Sequence, residues 1–449
     1  MPQLKRLMPT LVCACALLGK VTLAWAAATP AGIQPAASGL HPVQFMTDQP
    51  APDPAERGYI AARLYQAVTT YFAHEEALPE SFNFETVYRA FLVEAFAART
   101  RLDFDKAAMR MLSALHNGHT GFTDQLASAA PPLPFRAQRL DGRWIVTMSR
   151  LAKGVIDPGD EIVTLNGQPI QAWINANIVF VQRSNQAESE MSLFSAAFLW
   201  PARLQLGLGD RRTITIDRSR PEPGAWRGLI VPDSVVVSEP APGVIRIQIP
   251  SFDKPQYEEA ALEAVRHHRD ARVILFDVRG NGGGSTPQRL LAALIERPYY
   301  DMIDSTPLHI GTLDAWAEGG DAVLPKAMVR AGGEIIQPDH PIFHGQVLVL
   351  ADRGCASACE DLVLGLHESG RARIVGETTY GSTGQPYLVG FPEVRMSLRV
   401  GARREYLHGL KPFEGVGVIP DSPVAFTQDA LRSGDDPVLQ RALAIAHQD

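Results

Sequence analysis

From Val244 onward the chain alternates short apolar strand runs with helical runs, and this alternation restricts the fold more than any other feature. Val244-Ile-Arg-Ile-Gln-Ile249, Val273-Ile-Leu-Phe276 and Val347-Leu-Val-Leu350 are strand candidates, and Leu290 to Ile295 and Ala358 to His367 read as intervening helices. Strands that alternate with helices require crossover connections and a sheet buried on both faces. A composition of 46% hydrophobic and 20% charged residues over 449 positions can fill such a core. It also excludes global disorder and a collagen-like fibre, and the length allows two or three domains. No internal repeat is present.

Upstream, two other patterns precede this one. From about Ala55 to Leu115, residues such as Tyr59, Leu64, Tyr65, Val68 and Tyr71 fall near helical spacing, and the pattern closes at the turn-rich His116-Asn-Gly-His119-Thr-Gly121. Residues 53–130 are therefore expected to be a small helical domain. Pro131-Pro132 then opens a set of short alternating strands, Trp144 to Met148, Glu161 to Leu165 and Arg212 to Ile216. Residues 131–220 form this β-module and 221–449 the α/β core. The segment Pro298 to Pro341 is long for a connection and is expected to be a lid or a substrate-facing insertion.

The N-terminus has the order of a secretory signal: Lys5 and Arg6, an apolar run Leu7 to Leu18, then Ala24-Trp25-Ala26-Ala27. Cleavage after Ala26 gives 1–26 as signal and 27–52 as an Ala/Pro/Gly-rich flexible leader. A membrane anchor is disfavoured because Lys20 interrupts a run already short for a span of about 20 residues. Cleavage leaves 39 basic against 49 acidic residues, moving the net charge from −7 to −10. No basic block exists, which argues against a nucleic-acid partner. The mature chain is expected in an exported compartment, periplasmic if the source is bacterial, with no stable membrane insertion.

Two segments carry the chemistry. Val273-Ile-Leu-Phe-Asp277-Val-Arg279-Gly-Asn281-Gly282-Gly283-Gly284-Ser285 runs from a buried strand through a glycine-rich turn towards a helix. Such a turn presents N–H groups at the positive end of a helix dipole, which suits an oxyanion or phosphate. A phosphate loop would end in Gly-Lys-Ser/Thr, which is absent. Val347-Leu-Val-Leu-Ala-Asp-Arg-Gly354-Cys-Ala-Ser357-Ala-Cys-Glu360 places Ser357 between small residues where a strand passes into a helix. Alone, Ser357 would read as an N-cap, and a nucleophilic serine needs a base.

Together these segments resemble the tail-specific, or C-terminal processing, serine peptidases and the related tricorn-type core. Those families carry "D-x-R-x-N-G-G-G" and "S-A-S-A-x-E". They also carry "G-E-x-T-x-G", matched by Gly376-Glu377-Thr-Thr379-Tyr-Gly381, and "G-V-x-P-D", matched by Gly417-Val-Ile-Pro420-Asp421. Gly154-Val-Ile-Asp-Pro-Gly-Asp160-Glu-Ile-Val-Thr-Leu-Asn-Gly-Gln-Pro-Ile170 is similar to a PDZ domain, a family that captures extended peptides at a sheet edge. The stretch from about Phe180 to Pro201 does not fit a minimal domain of that kind. The fold implied is α/β: a ClpP/crotonase-like superhelical core preceded by a helical segment and a PDZ-like β-module. The resemblance makes Ser357 the nucleophile. It takes the oxyanion hole from Gly283 or Gly284 and from Ala358, while Asp277 and Arg279 brace the turn.

One position departs from the tail-specific pattern. Where those enzymes place a catalytic lysine after "T-x-G", this chain has Ser382, and Lys326 and Lys411 fall outside the motif. The tricorn-like branch instead uses a histidine from the helical segment and a glutamate shortly before "G-V-x-P-D". His119 and Glu414 occupy those places, so the resemblance implies a Ser357–His119–Glu414 triad. An imidazole with an ordinary pKa of about 6.5 suits the base, predicting an ionisation near 6–7 in the rate profile.

A metal shared by His116 and His119 lacks any HExxH or Cys cluster to support it, so neither a metal nor a cofactor is expected. The expected partner is a peptide or protein substrate. The rivals are a non-catalytic binding protein on the same fold and a crotonase-type acyl-CoA enzyme, the latter disfavoured by the signal and the PDZ-like module. Cys355 and Cys359, the cysteines that survive signal cleavage, are expected to be two small buried thiols. A bridge between them would need Cα atoms within about 7 Å.

Overall fold

The computed structural model describes residues 49–128, 130–220, 224–309 and 326–447. The expected signal peptide and nearly all of the leader lie outside them, as do residues 310–325 of the long insertion. Three capped helices open the described chain: Pro54–Tyr71 behind Asp53, Phe84–Ala97 behind Asn83, and Arg101–Ser113 behind a Thr100–Asp103 capping box. Residues 135–228 then build a mostly antiparallel sheet in the order Phe135–Leu140, Arg143–Ser149, Glu161–Leu165, Arg203–Leu208, Thr213–Asp217. The 180–201 stretch contains a helix, Gln186–Ser195. One continuous apolar core joins these helices and this sheet, from Ile60 and Phe104 to Trp200 and Leu206.

The α/β part has the architecture that the alternation requires. Strands Ser422–Pro423, Ala372–Gly376, Gln346–Ala351, Val273–Asp277 and Val244–Gln248 are parallel in that spatial order, and Val236–Ala241 is added antiparallel at the edge. Side chains leave alternate faces of a strand, so each strand feeds two cores. Ile274, Phe276, Val347 and Val349 pack under helices Pro255–His267, Gln288–Leu294 and Ala358–Glu368. Val273, Leu275, Leu348 and Leu350 meet the C-terminal helix Pro437–Ala446. Both faces are covered, which explains the unbroken apolar runs.

Two further sheets frame the site. Gly121–Asp124 pairs with Met396–Gly401, which pairs with Pro386–Phe391, so the segment after His119 is stitched to the distal part of the chain. The long insertion contributes Ile303–His309 and Lys326–Gly332, paired to each other and onward to Arg404–Leu407.

Candidate active site

The parallel strand Gln346–Ala351 ends in a turn, and the helix Ala358–Glu368 begins directly after Ser357. Ser357 has φ +55° and ψ −126°, a backbone state that a residue with a Cβ adopts only when its surroundings enforce it. Several contacts enforce it here. Ser357 N–H donates to the Ser382 carbonyl at 3.0 Å and towards Glu360 Oε2 at 3.3 Å. Asp352 Oδ1 accepts from Gly354 N–H at 2.9 Å and from Gly280 N–H at 2.8 Å, locking the turn to the glycine-rich loop. The side chain of Ser357 is half-buried at the helix N-terminus.

Cys355 and Cys359 form a disulfide across this turn, with Cα atoms 5.4 Å apart. The expected free thiols are thus corrected. The bend between strand and helix, not a regular helix, brings the two residues into bridging range. Thiol titration of the denatured chain lacking residues 1–26, without reductant, is expected to find no free thiol. Two thiols per chain would show the pair open.

Glu360 lies beneath the turn and is fully buried. Its carboxylate accepts from Gly381 N–H at 2.6 Å, from Ser382 N–H at 2.9 Å and from the Thr379 hydroxyl. Burial pushes its pKa up to about 7, the three donors pull against that, and the nearby Glu414 adds to the rise. This residue appeared in the sequence only as the last letter of a motif.

On the other side of the site, Asn117 shapes the histidine turn. Its Oδ1 accepts from His119 N–H at 3.1 Å and Thr120 Oγ1 at 2.9 Å, and its Nδ2 donates to Glu414 Oε1 at 2.8 Å. His119 Nδ1 lies 2.9 Å from Ser382 Oγ, and Ser382 Oγ lies 3.2 Å from Glu414 Oε1. Ser184 Oγ reaches the same oxygen at 2.5 Å. Glu414 therefore reaches the imidazole through the Ser382 hydroxyl. Gly118 permits this approach, because a Cβ there would stand 2.5 Å from Ser382 Oγ.

Electrostatics separate the two titratable partners. Burial, then Arg399, Arg403 and Arg183, lower the His119 pKa to about 4. Burial raises that of Glu414 to about 7 against its hydrogen bonds from Ser184 and Ser382. The expectation of an imidazole titrating near 6.5 is corrected accordingly: it omitted desolvation and three neighbouring cations.

The glycine-rich loop lies against the nucleophile. A Cβ on Gly283, whose φ is +91°, would sit 2.5 Å from the Ala356 carbonyl and 2.8 Å from Ser357 Cβ. Gly283 N–H donates to Asn281 Oδ1 at 2.9 Å, so the amide expected for the oxyanion hole is occupied in this state. The N–H groups of Gly284 and Ala358 have no hydrogen-bond acceptor among the described residues. Asp277 binds Arg246 and Arg279, and Arg279 also binds Asp436, an ion-pair network behind the loop. No group of three or more His, Cys, Asp or Glu side chains suited to a metal occurs among the described residues. His116 is exposed and stands apart from the His119 network.

A serine at a strand-to-helix turn, a neutral histidine and a glycine-rich loop, set on a parallel sheet covered on both faces, define a serine-hydrolase core. Residues 243–424 match the model of peptidase family S41. This match and the relative below mark a serine-type peptidase that is similar to the tail-specific, C-terminal processing enzymes. Carboxy-terminal processing protease CtpA of Bacillus subtilis (strain 168) is 22% identical over 358 residues, covering 74% of this chain and 68% of its own. The fold is similar to that of mature CPAF complexed with lactacystin, with a TM-score of 0.66 and 15% identity over 88% of this chain and 99% of that one. A second structure of mature CPAF gives 0.62 and 16%, over 84% and 94%. No helix among the described residues is long and apolar enough to cross a membrane.

Proposed function

We propose that this peptidase is exported and cleaves peptides or unfolded protein tails through an acyl-enzyme on Ser357, with His119 as general base and Glu414 as its distant orienter. The observation that carries this reading is the double engagement of Ser382: its carbonyl holds Ser357 N–H and its hydroxyl meets His119 Nδ1. With Glu414 ionised, proton counting supports one tautomer. The Ser382 hydroxyl has one proton, which it donates to Glu414, so it accepts from His119 Nδ1–H. That leaves Nε2 unprotonated and able to take a proton.

In the forward step Ser357 Oγ attacks the scissile carbonyl carbon as its proton passes to His119 Nε2. The oxygen of the tetrahedral intermediate is held by the Ala358 and Gly284 amides at the N-terminus of the helix. Collapse breaks the C–N bond, and the proton on Nε2 goes to the leaving amine. Water, deprotonated by the same imidazole, then hydrolyses the ester. Ser382 thus occupies the place of the missing lysine and relays to a histidine. The N-terminal signal pattern supports export, and the similarity of residues 154–170 to PDZ sequences supports capture of an extended segment by the β-module.

The test is intact-mass analysis after treatment with a fluorophosphonate. One adduct per chain is expected on the wild type and none on Ser357→Ala. An unlabelled wild type would instead favour a binding protein built on a peptidase fold.

A further inference from the structure

The mechanism leaves the Cys355–Cys359 bridge unused, although it closes around the nucleophile. Cys355 lies beyond the end of strand Gln346–Ala351, Cys359 is the second residue of helix Ala358–Glu368, and Ser357 stands midway between them. In the "S-A-S-A-x-E" pattern the two bridged places hold a serine and an unrestricted residue, so the cysteine pair is a feature of this chain. Once residues 1–26 are removed, no other cysteine competes for either thiol.

The bridge acts on the turn rather than on the whole fold. A cross-link constrains the unfolded chain more as its ring lengthens, and a separation of four positions is at the short end. Within the ring, backbone hydrogen bonds fix three residues from outside. Cys355 C=O accepts from Tyr380 N–H at 2.9 Å, Ala356 N–H donates to the Asn281 carbonyl at 3.1 Å, and Ser357 N–H to that of Ser382 at 3.0 Å. None reaches Ala358 N–H, whose direction follows from the residues on either side of it. Cys359 Sγ packs 3.7 Å from the Val278 carbonyl, which accepts from Asn281 N–H at 3.1 Å as the glycine-rich loop begins. The bridge thus joins the strand side of the turn to its helix side and rests against the loop that carries the second oxyanion amide. It opposes unwinding of the first helical turn, the change that would let Ser357 leave its φ of +55°.

Forming it is an oxidation. The chain's two thiols and one disulfide-bearing oxidant become the bridge and two released thiols, with two electrons and two protons passing to the oxidant. Exported compartments supply such an oxidant, whereas the cytosol keeps thiols reduced. Both cysteines are fully buried, so a reductant in solution reaches neither sulfur while the turn is closed.

We propose that the Cys355–Cys359 bridge is a positioning element for Ser357 and the Ala358 amide, made by thiol–disulfide exchange after export, so that oxidation switches the peptidase on. This rests on the exported-peptidase reading.

The chain lacking residues 1–26 is prepared without reductant, and again under dithiothreitol that is then removed in oxygen-free buffer. Thiol titration confirms the state of each preparation. Cys355→Ser combined with Cys359→Ala opens the pair by a second route and places the pattern's serine at 355. The measured quantities are the rate constant of fluorophosphonate labelling, kcat and KM for β-casein as an unfolded probe, and the denaturation midpoint. Labelling and kcat are expected to fall about tenfold or more in the dithiol form and in the double variant, because both amide and nucleophile lose their fixed direction. KM should stay within about twofold, since the buried bridge touches no substrate. A lower midpoint with labelling and kcat unchanged would show a staple only and overturn the proposal. So would two free thiols in the chain isolated without reductant. If the double variant does not fold, the two wild-type preparations decide. Equal labelling of both removes the positioning role and leaves the peptidase reading standing. Labelling of neither removes the peptidase reading, and the proposal with it.

Discussion

His119→Ala is expected to lower kcat/KM for any cleaved peptide by about a thousandfold or more, while substitution of Lys411 leaves most of the activity. The imidazole is the general base in the proposed mechanism, and position 382, where a lysine base would stand, is a serine with 1% of its surface exposed. The shape of the pH profile distinguishes this base from a solvent-exposed histidine. The His119 pKa is lowered to about 4, so the base-competent neutral form persists well into acid, and the main fall in rate comes as pH drops through that value. Glu414, raised to about 7, loses its charge on the way down, weakening the acceptor at the end of the Ser382 relay. Two steps are therefore expected, a shallow one near pH 7 and the main limb near pH 4, and Glu414→Gln should remove only the first. Several per cent of wild-type activity in His119→Ala would sink the assignment. So would a single limb at 6.5 unmoved by Glu414→Gln.

Glu360→Ala should produce the largest loss of stability among single substitutions at the site. The carboxylate is the shared acceptor for Ser357, Gly381 and Ser382 N–H groups and the Thr379 hydroxyl, all in the dry space beneath the turn. Each buried donor left without a partner costs roughly 1–3 kcal/mol, so a loss of about 4 kcal/mol is expected even if water enters. Chemical denaturation measures it, and the rate of fluorophosphonate labelling should fall as well, because the strained Ser357 backbone loses its support. Glu360→Gln keeps one acceptor oxygen and is expected to lose about half as much. The folded-state pKa of Glu360 is raised, so its stabilising contribution is full below about pH 4.5 and declines as pH rises through 7. The deficit of the pH-insensitive Gln variant is accordingly expected to shrink between pH 5 and pH 9. An unchanged denaturation midpoint in Glu360→Ala would refute the account of the turn.

The parallel sheet was legible because its strands are buried on both faces, which writes continuous apolar runs such as Val273 to Phe276 into the chain. The nucleophile turn was legible for a related reason: small residues and glycines are needed wherever backbones approach as closely as Gly283 does to Ser357. Ser382 was visible only as a missing lysine. Its part in the site depends on Gly118 coming within reach of it across 264 residues, a distance over which no local periodicity carries information. Asn117, Ser184 and Glu360 were likewise unreadable, since a polar side chain in sequence does not disclose which atom it will meet.

The sequence by itself determined the order of strands and helices and the residue types at the site, because local patterning and small-residue constraints act along the chain. Only the tertiary structure decided the chemistry of those residues. It brought three arginines and a dry interior around His119, gave Glu414 a hydroxyl in place of the imidazole as its partner, and closed Cys355 onto Cys359. Charge, desolvation and hydrogen bonding depend on distance through space, and chain order does not specify that distance.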